Sequence, residues 1–155
     1  SKNDIKIAKN KLEIGKKQLK MLDSEQKEIL AIYQTCKAYI TKSKVNLLEE
    51  GVKKINKVFL SFEELQENIK RELSGSVGLE LIKNKKFAIG EEDIKRAEDI
   101  AVLMVEKYKM AKDSKDIIFD AQESLKLEFS QNIEKINRLK DIMLKNEVIT
   151  LDDLQ

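Results

Sequence analysis

Three lysines, Lys83, Lys85 and Lys86, fall within four residues and lead straight into Phe87, with Val77 and Leu79 just before them. Ammonium groups at that spacing can hold a sulfate, phosphate or carboxylate as point charges, while neighbouring apolar side chains grip the rest of the ligand. Lys83, Lys85, Lys86 and Phe87 are therefore the candidate ligand-binding residues. If they act this way, replacing the three lysines with Glu abolishes binding of an anionic ligand. The competing reading is structural: Val77, Leu79 and Phe87 plug the open end of a helical bundle, and the lysines stay in water.

Other chemistry is largely excluded. There is no His, Pro or Trp among the 155 residues, and only five Gly. Without His, mixed Cys/His zinc sites, HExxH metalloprotease sites and the usual di-iron sites cannot be built. Ser-His-Asp and Cys-His nucleophiles lack their base. Neither GxGxxG nor GxxxxGK[ST] is present, so the common nucleotide cradles are missing. Cys36 is the only cysteine, so it forms no intrachain disulfide, and it reads as a small buried hydrophobe. The 28 acidic residues could pair for acid–base work, yet nothing places two of them on an apolar face where burial would raise a pKa. No catalytic, metal-ligating or cofactor-binding residue is nominated, and the chain reads as a non-enzyme.

The elements that position these residues are helical. Ile5, Ala8, Leu12, Gly15, Leu19 and Leu22 recur in steps of three and four, and the phase continues through Gln26, Ile29, Tyr33, Cys36 and Ile40. The unbroken phase predicts one long helix from about Asn3 to Lys42, ~60 Å at 1.5 Å per residue. A break at Leu22-Asp23-Ser24 is the alternative, since Asp and Ser are good N-caps.

A second seam runs through Leu48, Val52, Ile55, Phe59 and Phe62, then Leu65, Ile69 and Leu73 after a shift of phase. Ser74-Gly75-Ser76-Val77-Gly78 reads as its terminating break, and Leu79 to Lys86 as a short helix. Phe87-Ala88-Ile89-Gly90 is a second break, followed by Glu91-Glu92-Asp93 at the favourable end of a new helix. The third seam carries Ile94, Ala97, Ala101, Met104, Tyr108 and Ala111. After a turn or polar bump at Lys112-Asp113-Ser114 it continues from Ile118 through Phe129 and Met143 to about Lys145. Thr150 to Leu154 looks like a capped helix start.

The fold expected is all-α: an antiparallel bundle of three to five helices with long first and last helices, in a single domain over residues 1–155. Tyr33, Phe59, Phe62, Tyr108 and Phe129 fall on seam positions and are assigned to its core. No run of ~18 apolar residues is present, so no transmembrane segment is expected. Gly15, Gln26 and Cys36 on the first seam suit packing inside one chain better than a tight coiled-coil dimer, so a monomer is expected.

Charge is unevenly distributed. Residues 1–57 carry 14 Lys against 7 acidic residues, whereas 58–155 carry 16 basic against 21 acidic. The basic first stretch could face an anionic surface, although acidic helices of the same bundle are its nearer partners. Of 30 basic residues only Arg71, Arg96 and Arg138 are arginines. Bidentate base reading favours Arg, so sequence-specific nucleic-acid binding is not expected.

The Ser-Lys-Asn opening, the Lys/Glu/Ile/Leu/Asn vocabulary, the lone Cys and stretches such as Leu22-Asp23-Ser24-Glu25-Gln26-Lys27-Glu28-Ile29-Leu30 resemble the mature domains of plasmid-encoded helical outer-surface or exported lipoproteins of Borrelia. The likeness is one of style over the whole chain and carries no binding residue across. It implies a surface or secreted helical protein that engages host molecules: complement components, matrix proteins or glycosaminoglycans, the last being sulfated polysaccharides. It is also consistent with a removed targeting or lipidation segment before Ser1. The alternative is an intracellular, cytoplasmic coiled-coil structural or adaptor module. No cofactor is expected.

Overall fold

The computed structural model describes residues 22–155. It is an all-α bundle of five helices among those residues, with one two-stranded ladder. Helix α1 spans Ser24–Thr41, α2 Phe62–Lys83, α3 Glu91–Glu106, α4 Ser114–Gln131 and α5 Ile133–Asn146. Strand β1 (Val45–Asn46) pairs antiparallel with β2 (Val148–Ile149), in the register Val45 to Ile149.

Helix α1 starts where local chemistry stops it from starting earlier. Asp23 is extended, and its carboxylate accepts from the Gln26 N–H at 2.8 Å while the Gln26 side chain accepts from the Asp23 N–H at 3.1 Å. This reciprocal capping satisfies two otherwise orphaned donors. The single helix expected over Asn3–Lys42 is therefore interrupted at Leu22-Asp23; its part before Leu22 lies outside the described residues. From Ala31 to Thr41 every residue of α1 is buried. Helices α2 and α5, strand β1 and the segment after it surround this helix.

The second seam is not helical until residue 62. Residues 47–61 run without a helix, turning at Gly51 with φ +76. Their backbone groups are taken by side chains elsewhere. Asn68 accepts from the Ile55 N–H and donates to the Ile55 carbonyl, at 2.8 and 3.1 Å, and Arg71 donates to the Lys53 carbonyl. Those tertiary bonds, together with β-branched Val52, Ile55 and Val58, outweigh the helical spacing. Helix α2 then begins at a second capping box, Ser61 with Glu64.

The break expected at Ser74–Gly78 does not occur. Helix α2 runs through it to Lys83 and absorbs most of the short helix expected at Leu79–Lys86. Gly75 and Gly78 are buried against Tyr33 and Cys36 of α1, so they serve close helix approach and not chain reversal. The break at 84–90 and the acidic first turn of α3 are present. The long last helix is divided: Asn132, at φ −127 and ψ 26, separates α4 from α5. Thr150 and Asp153 form the expected reciprocal cap, but it opens a turn at 151–154 and not the expected helix.

The core is formed by Ile32, Ile69, Leu73 and Leu79 with Met104, Leu125, Phe129, Ile136, Leu139 and Met143, all essentially without exposed surface. Burying a side chain such as Phe129 contributes about 2–3 kcal/mol by removal of apolar area from water. Two seam aromatics are not core. Phe59 and Tyr108 are exposed, because each lies in a connection and not on a helix.

Candidate interaction site

Among the described residues two apolar surfaces stand open beside helix α2. The first is the loop Val58-Phe59-Leu60. Phe59 is 94% exposed and Val58 72% exposed. Phe59 also holds a left-handed backbone, φ +60, which is rare for a bulky residue and costs about 1–3 kcal/mol unless its surroundings impose it. Four side chains on the facing turns of α2 fasten the residues just before the loop: Glu64 binds Lys57 at 2.5 Å, Asn68 clips Ile55, Arg71 holds the Lys53 carbonyl and Glu72 binds Lys54 at 3.0 Å. The aromatic stands in water between this fastened stretch and the Ser61 cap of α2. Because Lys54 and Lys57 are paired within the chain, the tip projects an apolar residue with little net field.

The second surface is a groove of about 790 Å³ between α2, α3 and α4. Its apolar floor includes Leu73, Val77, Phe87, Ile94, Val102 and Phe119. The outer helices that line it are acidic, with six acidic and two basic residues in α3 and four acidic and two basic in α4.

The four residues nominated from sequence are divided among different surroundings. Lys86 and Phe87 line the groove. Lys85 lies 5.5 Å over the Phe87 ring, a cation–π contact. Lys83 turns away to Glu28 of α1, and this hydrogen bond holds the Glu28 carboxyl below its usual range. Val77 and Leu79 are buried core residues, as the structural reading of this stretch requires. The Phe59 tip was not nominated. Its signal was present in the adjacency of Val58 and Phe59 to Lys57 and Gly51, but the apolar spacing masked it.

A polar cluster inside the bundle was also illegible. The Tyr33 hydroxyl donates to Asp93 at 2.5 Å, and Arg96 bridges Asp93 and Glu72, with 2.9 Å between Arg96 Nε and the Glu72 carboxylate. Glu72 has no exposed surface and receives Lys54 as a second partner, yet its Oε1 has no hydrogen-bond donor. Burial and the Asp93 carboxylate push the Tyr33 hydroxyl well above its ordinary pKa, and burial does the same to the Cys36 thiol. Both therefore stay protonated and poor as nucleophiles. Burial opposes the charge of Arg96, but the carboxylates of Glu72, Asp93 and Glu92 together prevail and raise its pKa. The cluster locks α1, α2 and α3 together.

Among the described residues no helix is long and apolar enough to cross a membrane. No protein-family model and no curated protein matches this chain.

Proposed function

We propose that this chain is a non-enzymatic interaction protein, exported or displayed on a cell surface, which engages another protein through the Val58–Phe59 tip. One observation carries the reading: an aromatic residue in a sparsely populated backbone conformation, almost fully in solvent, directly after a stretch that four α2 side chains fasten. Rigid, exposed aromatic anchors are what dominate protein recognition, because little conformational freedom remains to be lost on binding. The partner offers an apolar pocket of aromatic size. The style resemblance supports a host protein, with complement and matrix components the first to test. The acidic groove helices argue against a sulfated polysaccharide at Lys86.

The experiment is a solution binding screen of the purified chain against complement and matrix proteins, repeated with Phe59→Ser. Saturable binding that falls about tenfold or more in the variant, at unchanged folding, fits an anchor. Binding that ignores the substitution, or a cytoplasmic location on cell fractionation, overturns the proposal.

A further inference from the structure

Apolar side chains stand open in the groove between α2, α3 and α4. Phe119 is 58% and Val102 39% exposed on its walls, beside Leu73, Val77 and Ile94. Contiguous apolar surface rimmed by charge marks a place that another element covers. The groove shares no residue with the Phe59 tip.

A covering element is tethered next to it. Leu22, the first described residue, lines a neighbouring cleft with Ile89, Gly90 and Glu91. Ile89 lines the groove as well, so residues 1–21 join the bundle at the end of the groove where α2 gives way to α3. Asp23 is extended at that point and turns the chain off the α1 axis.

Residues 1–21 lie outside the described residues, but their sequence matches the groove in pattern, length and charge. Ile5, Ala8, Leu12, Gly15 and Leu19 recur in steps of three and four, the spacing of one apolar helix face. In helical register, residues 5–19 span ~22 Å at 1.5 Å per residue. Helix α3, which forms one wall of the groove, is of similar length at 16 residues. Lys9, Lys16 and Lys20 share one flank of the apolar face. The segment carries seven Lys against two acidic residues. Both walls are acidic in balance, and Glu98 and Asp116 are exposed on the groove itself. A partner from solution competes with a tethered segment whose effective concentration is on the order of millimolar. A small apolar ligand leaves the acidic walls unanswered.

We propose that this groove is the docking surface of the chain's own residues 5–19, which lay Ile5, Leu12 and Leu19 on its apolar floor and set Lys9, Lys16 and Lys20 against its acidic walls.

Thiol accessibility in the full chain tests it. Gln122→Cys places a thiol in the groove without touching the apolar floor. Leu127→Cys places one on the same helix at an exposed position outside it. Cys36 is fully buried, so its reaction reports loss of the fold. With a water-soluble maleimide, adding Leu12→Asp and Leu19→Asp should speed labelling at 122 by about tenfold or more and leave 127 unchanged. Lys9→Glu, Lys16→Glu and Lys20→Glu together should speed it by roughly threefold or more. This second set keeps the apolar face intact, so it decides the matter if the first set exposes Cys36. Light scattering separates the chain's own segment from that of a second copy. Protection of 122 in a monomer, independent of concentration, supports the proposal. Protection found only in a dimer, or a labelling rate at 122 that neither set of substitutions changes, overturns it.

Discussion

Gly78 of α2 lies so close to Cys36 of α1 that a Cβ at position 78 would stand 2.8 Å from the Cys36 Cβ, with the sulfur nearer still. Three residues earlier Gly75 lies beneath Tyr33, where a Cβ would meet ring carbons at 2.6–2.8 Å. Two absent side chains on one face of α2 thus set the spacing of the two helices. Glycine inside a helix costs roughly 0.5–1 kcal/mol, so Gly78→Ala would stabilise an isolated helix. Here it should destabilise the fold by about 1–3 kcal/mol through overpacking. In a Cys36→Ala background, with the sulfur gone, part of the loss should return. Denaturant unfolding in a double-mutant cycle measures both, and a raised midpoint for Gly78→Ala alone would contradict the packing argument.

Glu72 is fully buried and depends on Arg96 and Lys54. Arg96→Ala removes one of its two cations and also exposes Asp93 to an unbalanced charge. The expected loss is about 3–5 kcal/mol. Replacing Glu72 and Arg96 together with Leu should recover only part of it, since the Glu72 charge disappears along with its partner while the buried Asp93 keeps Tyr33 but loses its cation. If the double substitution is as unstable as Arg96→Ala, the cluster contributes more than mutual neutralisation.

Phe59 should show opposite effects on stability and binding. Asn accepts the left-handed backbone far better than Phe, and little packing is lost at so exposed a position. Phe59→Asn should therefore raise stability by about 0.5–1 kcal/mol. It should also remove the proposed protein binding. A thermal shift downward would mean that the tip is part of the fold's own packing.

Lys37 should govern part of the alkaline response. It is 2% exposed, and burial pushes its pKa down, opposed by Asp93, Glu49 and Glu72 and reinforced by Arg96. Between that lowered value and the ordinary lysine value of about 10.4, the folded chain binds fewer protons than the unfolded one. The cost of burying the cation is thus full at lower pH and is relieved as pH rises through the folded pKa. Cys36 acts in the opposite sense above about pH 8.5, because its buried thiol keeps a proton that the unfolded chain releases. The difference between variants isolates Lys37. Lys37→Met should be more stable by about 1–2 kcal/mol at pH 7, and the advantage should shrink towards pH 10. A difference independent of pH would assign the effect to packing alone.

Helix content was legible wherever periodicity coincided with capping chemistry. Glu91 to Asp93 mark a real start because three acids sit at the positive end of α3, and Asp113 starts α4 by accepting from the Lys115 N–H; Thr150 caps a turn that no helix continues. Periodicity without caps misled at 48–59, where side chains of α2 and Gln34 claimed backbone groups that a helix would have used. Gly75 and Gly78 misled in the opposite direction, since a glycine that ends a helix and one that admits a neighbouring helix look alike until the neighbour is known. Lys86 and Phe87 were readable as a local cluster, whereas the Tyr33, Asp93, Arg96 and Glu72 cluster joins residues from three distant stretches. No local spacing could announce it.

The short ladder between Val45 and Ile149 also has a consequence for biosynthesis. Helix α1 is made before α5 and β2, which complete its enclosure and follow about a hundred residues later. Until then the side of α1 that α5 covers stays open, so the nascent chain needs protection from premature association over that interval.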